Sequence, residues 1–294
     1  MKISIIGAAG TIGSCAAFNI AIHNIIDELV MIDDYSPDKL EGYVTDLSTA
    51  VTGLDVQVRG GSYEDMRDSN IVLMAAGSSQ VKVNRMEVLP QNLPIIRDVG
   101  LKIKHYCPKA IVITATNPVD PLNYAMYLSS GLDRKQFIGY SINDMVRFRM
   151  FLAEALKISS SQVEAMVIGE HGPSQVLLFS SVRVNGKLLT VSPEVEQKIR
   201  QQVADLPKLL EPQRVKSGRT QGWATSMGLT AICRAISKDT REKMPCSVVL
   251  DGEYGFNNLS ISVPVVIGKE GNHEIPKWDL EPAEQKALAG AGVY

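Results

Sequence analysis

The apolar run Lys2–Ile6 breaks off into Gly7-Ala8-Ala9-Gly10-Thr11-Ile12-Gly13, and a helical pattern, Gly13–His23, follows at once. No other feature constrains the fold as much. Glycines at this spacing let a chain leave a strand in a sharp turn, bring its backbone close to a pyrophosphate, and pack the next helix on the strand. That helix would aim its unpaired N–H groups and positive dipole end at the turn, where a phosphate is stabilised. Taken alone, the glycine pattern fits an ordinary tight turn equally well. Its context is more specific. A second apolar run, Leu29–Ile32, ends at Asp33, 20 residues past Gly13. A carboxylate there can accept hydrogen bonds from ribose hydroxyls. Asp34 adds a second negative charge that would oppose a 2′-phosphate. The segment therefore points to NAD rather than NADP, held by Gly7, Gly10, Thr11, Ile12, Gly13 and Asp33.

Two more continuous apolar runs, Ile71–Ala75 and Ala110–Thr114, read as strands buried on both faces of a parallel sheet. Strands alternating with helical stretches predict a doubly wound α/β sheet over residues 1–142. From Asn143 the pattern changes. Asp144–Lys157 reads as a helix with Phe148, Phe151, Leu152 and Ala155 on one face. Val163–Ile168, Ser180–Val184 and Lys187–Val191 read as strands. Ser192-Pro193 opens a helix, with serine at the N-cap and proline at the first helical position. Gln221–Ile236 reads as another helix. Ser247–Leu250, Leu259–Val263 and Val265–Ile267 read as antiparallel strands, with a turn at Asp251-Gly252. The expectation is a smaller α+β domain over 143–294.

The bulk properties limit the partners. With 294 residues and a formal net charge of -2, the chain has no basic excess to attract a nucleic acid or an anionic membrane. No apolar run reaches the ~20 residues that span a bilayer. The chain opens directly at a strand, so neither a signal peptide nor an N-terminal arm is expected, and the compartment implied is the cytoplasm. Cys15, Cys107, Cys233 and Cys246 form no Cys-x-x-Cys pair and stand at no zinc-ligand spacing, so they read as buried reduced thiols and no metal is expected.

Four segments carry chemistry. His171, in Gly169-Glu170-His171-Gly172, follows a strand end and suits proton transfer near neutral pH. Asp144 and Arg147, three residues apart on a helix, share a face; the acid could hold a histidine tautomer and the guanidinium could grip a carboxylate through two parallel bonds. Asn117, in Thr116-Asn117-Pro118-Val119-Asp120, lies past the carboxyl end of a strand, where ligands of such sheets bind, and could bond the nicotinamide side or the substrate oxygen. The polar stretch Gly77–Arg85 could close over a substrate and bring Arg85 to polarise its carbonyl. Each alone has a structural alternative: a core histidine, a local ion pair, an Asn-Pro turn, a surface loop.

Together these segments resemble the lactate/malate dehydrogenase family nearly end to end. The resemblance rests on Gly7–Gly13, Asp33, Asn117–Asp120, Asp144–Arg149, Gly169–Gly172, the Asp-Gly-Glu-Tyr-Gly segment Asp251–Gly255 and the Val-Pro-Val-Val strand Val263–Val266. It implies an NAD-dependent enzyme with a Rossmann sheet that moves a hydride to or from C2 of a small L-2-hydroxy or 2-oxo acid. It implies that His171 exchanges the proton, Asp144 orients it, Arg147 binds the substrate carboxylate, Arg85 stabilises the reacting oxygen and Asn117 sits near the reactive carbon. It also implies a homodimer or homotetramer.

Some positions depart from the family. The loop before Arg85 is one residue shorter and lacks Pro-Gly, Pro173 replaces the usual Asp, and Asn143 replaces an apolar residue. The segment Gly222-Trp223-Ala224-Thr225-Ser226 covers the pocket position that helps choose the substrate. Gln80 stands where the family carries Arg in malate enzymes and Gln in lactate enzymes. A neutral amide there leaves a second carboxylate without a charge partner, which favours a monocarboxylate such as pyruvate. Lys82, two residues on, could supply that cation, and malate is the alternative. A family 4 glycosidase-like hydrolase, which would need a metal held by Cys and His, and a non-catalytic NAD sensor are the more distant readings.

Overall fold

The computed structural model describes residues 1–78, 85–218 and 221–291, with backbone alone for Arg85, Glu211 and Arg214. In chain order its elements are β1 (Lys2–Ile6), α1 (Thr11–Ile22), β2 (Glu28–Ile32), α2 (Pro37–Ala50), β3 (Gln57–Gly61), β4 (Ile71–Met74), α3 (Leu89–Tyr106), β5 (Ile111–Thr114), α4 (Val119–Ser130), β6 (Phe137–Tyr140) and α5 (Ile142–Leu156). The second half has β7 (Val163–Glu164), β8 (Val167–Gly169), β9 (Gln175–Leu177), β10 (Arg183–Val184), β11 (Lys187–Leu188), α6 (Pro193–Ser217), α7 (Trp223–Lys238), β12 (Glu242–Asp251), β13 (Asn257–Gly268), β14 (Gly271–Glu274) and α8 (Pro282–Ala291).

Six parallel strands run in the order β3-β2-β1-β4-β5-β6, the doubly wound arrangement expected. Successive side chains of β1 serve opposite cores: Ile3 and Ile5 join one apolar cluster, while Ile6 joins the other. Both faces are covered, which is why these strands read as unbroken apolar runs. The order reverses between β1 and β4, and the glycine turn sits at that switch point, outside the carboxyl ends of the strands.

The α+β half is continuous with the first. β12 pairs antiparallel with β6, and β13, β8 and β9 extend the same sheet. The strands expected at Leu259–Val263 and Val265–Ile267 are one strand, β13. Pro264 faces Pro245 across the ladder, so both proline interruptions fall on one rung and the pairing continues past it. Val163–Ile168 divides between two sheets, since β7 pairs with β10 and β8 with β13. Phe179–Ser181 is a 3-10 turn, not the start of the strand expected from Ser180. Among the described residues no helix is long and apolar enough to cross a membrane.

Candidate active site

The glycine turn is backbone-defined. Gly7 has φ +83°, and a Cβ there would lie 2.5 Å from Ala76 N. A Cβ on Gly13 would lie 2.2 Å from the Gly7 carbonyl oxygen. Helix α1 begins after Gly10 with no side-chain cap and no acid in its first turn, so its first N–H groups and dipole face the turn unopposed. These features fit a pyrophosphate. Beside them lies a cavity of about 540 Å³ lined by Asp33, Asp34, Pro37, Leu40, Gly60 and Gly61 among others, a place for the adenosine end.

Asp33 has a second job that the sequence did not disclose. Its carboxylate accepts from Ala9 N at 3.0 Å, Tyr35 N at 3.2 Å and Ser36 N at 3.0 Å. It therefore ties the glycine turn to the end of β2. A carboxylate has about four acceptor positions, so room for a ribose hydroxyl remains. Lys39 also donates to the Ala9 carbonyl, at 2.6 Å.

The catalytic candidates come from three distant segments. His171, on the turn after β8, places Nδ1 2.6 Å from Asp144 Oδ2, and both side chains are almost fully buried, 6% and 8% exposed. Arg147 lies one turn further along α5, with Nη1 3.5 Å from Asp144 Oδ1, and keeps 30% of its side chain exposed. The backbone of His171 is pinned as well: its N–H donates to Asp120 Oδ2 at 2.8 Å. Asp120 sits in the first turn of α4 and is buried. The sequence reading missed it as a positioning group, although Asn117–Asp120 was in view. Glu170 closes the turn around His171 by accepting the Ser174 N–H at 3.1 Å, and Pro173 occupies a turn position that needs no donor.

Asn117 lies on the loop between β5 and α4, beside the same end of the sheet. Its side-chain Oδ1 is buried and accepts from no described residue, an arrangement that suits a ligand donor. Its carbonyl accepts from Asn92 Nδ2 at 2.7 Å, and Asn92 Oδ1 accepts from Ser78 N at 2.6 Å. Asn92, buried on α3, thus ties the start of the Gly77–Arg85 stretch to Asn117. Nothing in the local sequence pattern singles out Asn92 or signals this role. Gln80 and Lys82 lie outside the described residues, and so does the Arg85 side chain. No group of metal-ligating side chains occurs among the described residues. Cys107, Cys233 and Cys246 are buried as expected; Cys15 is only partly so. Burial pushes the thiols of Cys107 and Cys233 up to about 12.

The chain matches two family models: lactate/malate dehydrogenase, NAD binding domain, over residues 1–139, and lactate/malate dehydrogenase, alpha/beta C-terminal domain, over residues 143–292. It is 36% identical to a malate dehydrogenase of Natronomonas pharaonis, over 99% of this chain and 95% of that protein. It is 31% identical to an L-lactate dehydrogenase of Gloeobacter violaceus, over 98% of this chain and 89% of that one. The fold superposes on the lactate dehydrogenase of Cryptosporidium parvum, solved with lactic acid and NAD, with a TM-score of 0.90 and 30% identity, covering 99% of this chain and 94% of that one. Both halves are thereby accounted for by a single kind of enzyme: the chain belongs to the lactate/malate dehydrogenase family and is an NAD-dependent oxidoreductase.

Proposed function

We propose that this protein interconverts malate and oxaloacetate with NAD(H). The observation that carries the 2-oxo acid reading is the 2.6 Å contact of His171 Nδ1 with Asp144, one helical turn from a partly exposed arginine. When bound at the glycine turn, NADH would supply a hydride for C2 of the 2-oxo acid. Arg147 holds the C1 carboxylate through its planar fork. His171 gives the proton from Nε2 to the oxygen that becomes the hydroxyl. Asp144 keeps Nδ1 protonated and stabilises the imidazolium before transfer. Asn117 Oδ1 would accept from the cofactor's carboxamide or from the hydroxyl formed, and Arg85 would offset charge on the reacting oxygen. Residues 1–142 serve the cofactor and 143–294 most of the substrate site, in the cytoplasm.

Malate is preferred over lactate because the malate relative is the more similar of the two. This reverses the weight that Gln80 carried in the sequence, and Lys82 then serves as partner of the second carboxylate. Pyruvate reduction remains the second reading, supported by Gln80. The test is NADH oxidation with oxaloacetate and with pyruvate, in the wild type and in Lys82→Ala. A higher kcat/KM for oxaloacetate that Lys82→Ala removes is expected. A wild-type preference for pyruvate overturns the malate reading.

The protein forms a homo-oligomer in the same proposal. Helix α7 and the two helices packed against it, α1 and α5, each expose an i,i+4 apolar pair: Trp223 and Met227, Phe18 and Ile22, Val146 and Met150. Trp223 is 85% exposed. Apolar pairs on three neighbouring helices fit a second copy of the chain. Phe18→Glu with Trp223→Glu should give monomers in sedimentation velocity; a wild-type monomer contradicts the idea.

A further inference from the structure

The turn that carries His171 is shaped by local bonds. The Gly172 N–H donates to the Glu170 carbonyl at 2.8 Å, and the Ser174 N–H to the Glu170 carboxylate at 3.1 Å. These bonds do not attach the turn to the cofactor half of the molecule. Gly169, with φ +89°, and Gly172 flank the histidine, and glycine leaves a backbone its widest freedom. The Asp144 contact fixes Nδ1 and so the tautomer, but a single side-chain contact leaves the Cα able to pivot. The bond from the His171 N–H to Asp120 Oδ2, at 2.8 Å, holds the backbone itself.

Asp120 belongs to the cofactor half. It lies in the first turn of α4, three residues after Asn117, and is 2% exposed. A carboxylate taken out of water is costly, and the free N–H groups and positive end of α4 offset part of that cost. The turn is anchored on both sides. The Asn117 carbonyl accepts from the buried Asn92. One turn further along α4, Asn123 Nδ2 donates to the Ser247 carbonyl at 3.2 Å and to Ser260 Oγ at 2.9 Å, which ties the helix to β12 and β13. β13 in turn pairs with β8 at Ser262 and Gly169, two residues before His171. His171 is thus bracketed by β13 and Asp120, and α4 is bonded to both.

Reduction of a 2-oxo acid needs a hydride at C2 and a proton at its oxygen, delivered by different groups to one carbonyl. In the function proposed above, Asn117 serves the cofactor's carboxamide and His171 holds the proton. We propose that Asp120 is a positioning residue for this transfer: its bond to the His171 backbone sets the proton donor in register with the Asn117 turn. The inference rests on the proton-donor role of His171 and not on the choice between malate and lactate.

The test is a single turnover in stopped flow. The enzyme with NADH is mixed with saturating oxaloacetate, or with pyruvate if the wild type prefers it, and NADH fluorescence is followed. The rate constant reads the transfer, and the amplitude reads the fraction of competent sites. Asp120→Ala removes the acceptor. Asp120→Ser keeps a polar group in the first turn of α4, but one bond too short to reach the His171 N–H. Both should lower the rate constant by about 10- to 100-fold, the scale of a slightly misplaced catalytic group, with amplitude and NADH affinity kept. Asp120→Asn retains an acceptor oxygen and should stay within about 3-fold of wild type, since charge assistance only about doubles the strength of such a bond. A second readout needs no cofactor. The chain has four histidines, so selective isotope labelling resolves their backbone amides by NMR. The His171 amide should resist hydrogen exchange in the wild type and in Asp120→Asn, and should lose that protection in Asp120→Ala and Asp120→Ser.

An unchanged rate constant in Asp120→Ala and Asp120→Ser, or a loss of amplitude alone, would overturn the inference, because Asp120 would then serve only the fold. So would an Asp120→Asn variant as slow as Asp120→Ser with its His171 amide still protected, since charge and not the tie would then matter. If Asp120→Ala does not fold, Asp120→Ser and Asp120→Asn decide between these outcomes. A wild type that reduces neither acid overturns the proposed function and this inference together; a wild type that reduces one, with variant rate constants unmoved, overturns the inference alone.

Discussion

The cofactor end and the substrate end of this protein are built in opposite ways. The cofactor end is local: Gly7, Gly10, Gly13 and Asp33 lie within one strand–helix–strand unit, and its groups are mostly backbone N–H. The substrate end is assembled from afar. Asn117 and Asp120 follow β5, Asp144 and Arg147 ride on α5, and His171 follows β8. The first site depends on sterics at a few Cα positions. The second depends on side-chain bonds between distant segments, such as that of the His171 N–H to Asp120, 51 residues apart. Damage to the first should therefore appear in cofactor affinity, and damage to the second in turnover and substrate affinity.

The sharpest way to break that separation is His171→Asn. Turnover should fall by about 10²- to 10⁴-fold, the range for a lost general acid, while NADH binding followed by fluorescence stays near wild type. Asp144→Asn should fall in the same direction by less. Turnover near wild type in His171→Asn would sink the mechanism, and lost NADH binding would show that the two ends are not separable.

Gly13→Ala is the reciprocal case. The added Cβ would meet the Gly7 carbonyl oxygen at 2.2 Å, a backbone atom that cannot step aside without deforming the turn. Overpacking of this kind corresponds to about 10- to 100-fold weaker NADH binding. Titration of NADH into the variant reads this directly. Unaltered affinity would show that the turn does not approach the pyrophosphate.

The smallest expected effect sharpens the comparison at Asp33. Asp33→Asn retains acceptance from Tyr35 and Ser36 at Oδ1 but removes the charge. The ratio of kcat/KM for NADH to that for NADPH should drop by about 10-fold, the scale of a lost charge-assisted hydrogen bond. Asp33→Ser should change the same ratio and also lower the melting temperature, because it releases the N–H groups of Ala9, Tyr35 and Ser36. A ratio unmoved in both variants would leave Asp33 with only its structural task.

Read along the chain, the sequence carried the parallel sheet well, because strands covered on both faces are continuous apolar runs. Two strands escaped for opposite reasons. β3, Gln57-Val58-Arg59-Gly60-Gly61, is an edge strand of polar and glycine residues with little burial to betray it. β6 is only four residues long and includes Gly139, whose Cβ would strike Ser247, its partner on the neighbouring antiparallel strand β12, at 2.7 Å. That glycine is explained by a neighbour 108 positions away. Pro264 likewise reads as a break in the sequence, yet it stands opposite Pro245 in an unbroken ladder.

By itself, the sequence determined the cofactor turn, the acid behind it, the identity of the histidine, aspartate and arginine candidates, and the family. These are written in residue type at short spacing, where sterics and the chemistry of each side chain leave few choices. The tertiary structure alone decided what those residues are bonded to. Asp120 holding the backbone of His171, Asn92 joining Ser78 to Asn117, and Asn143 joining Tyr140 to Thr225 all depend on elements far apart in the chain. A buried polar group needs a partner within hydrogen-bond reach, and periodicity shows which face a residue occupies but not which distant element the fold will bring against it.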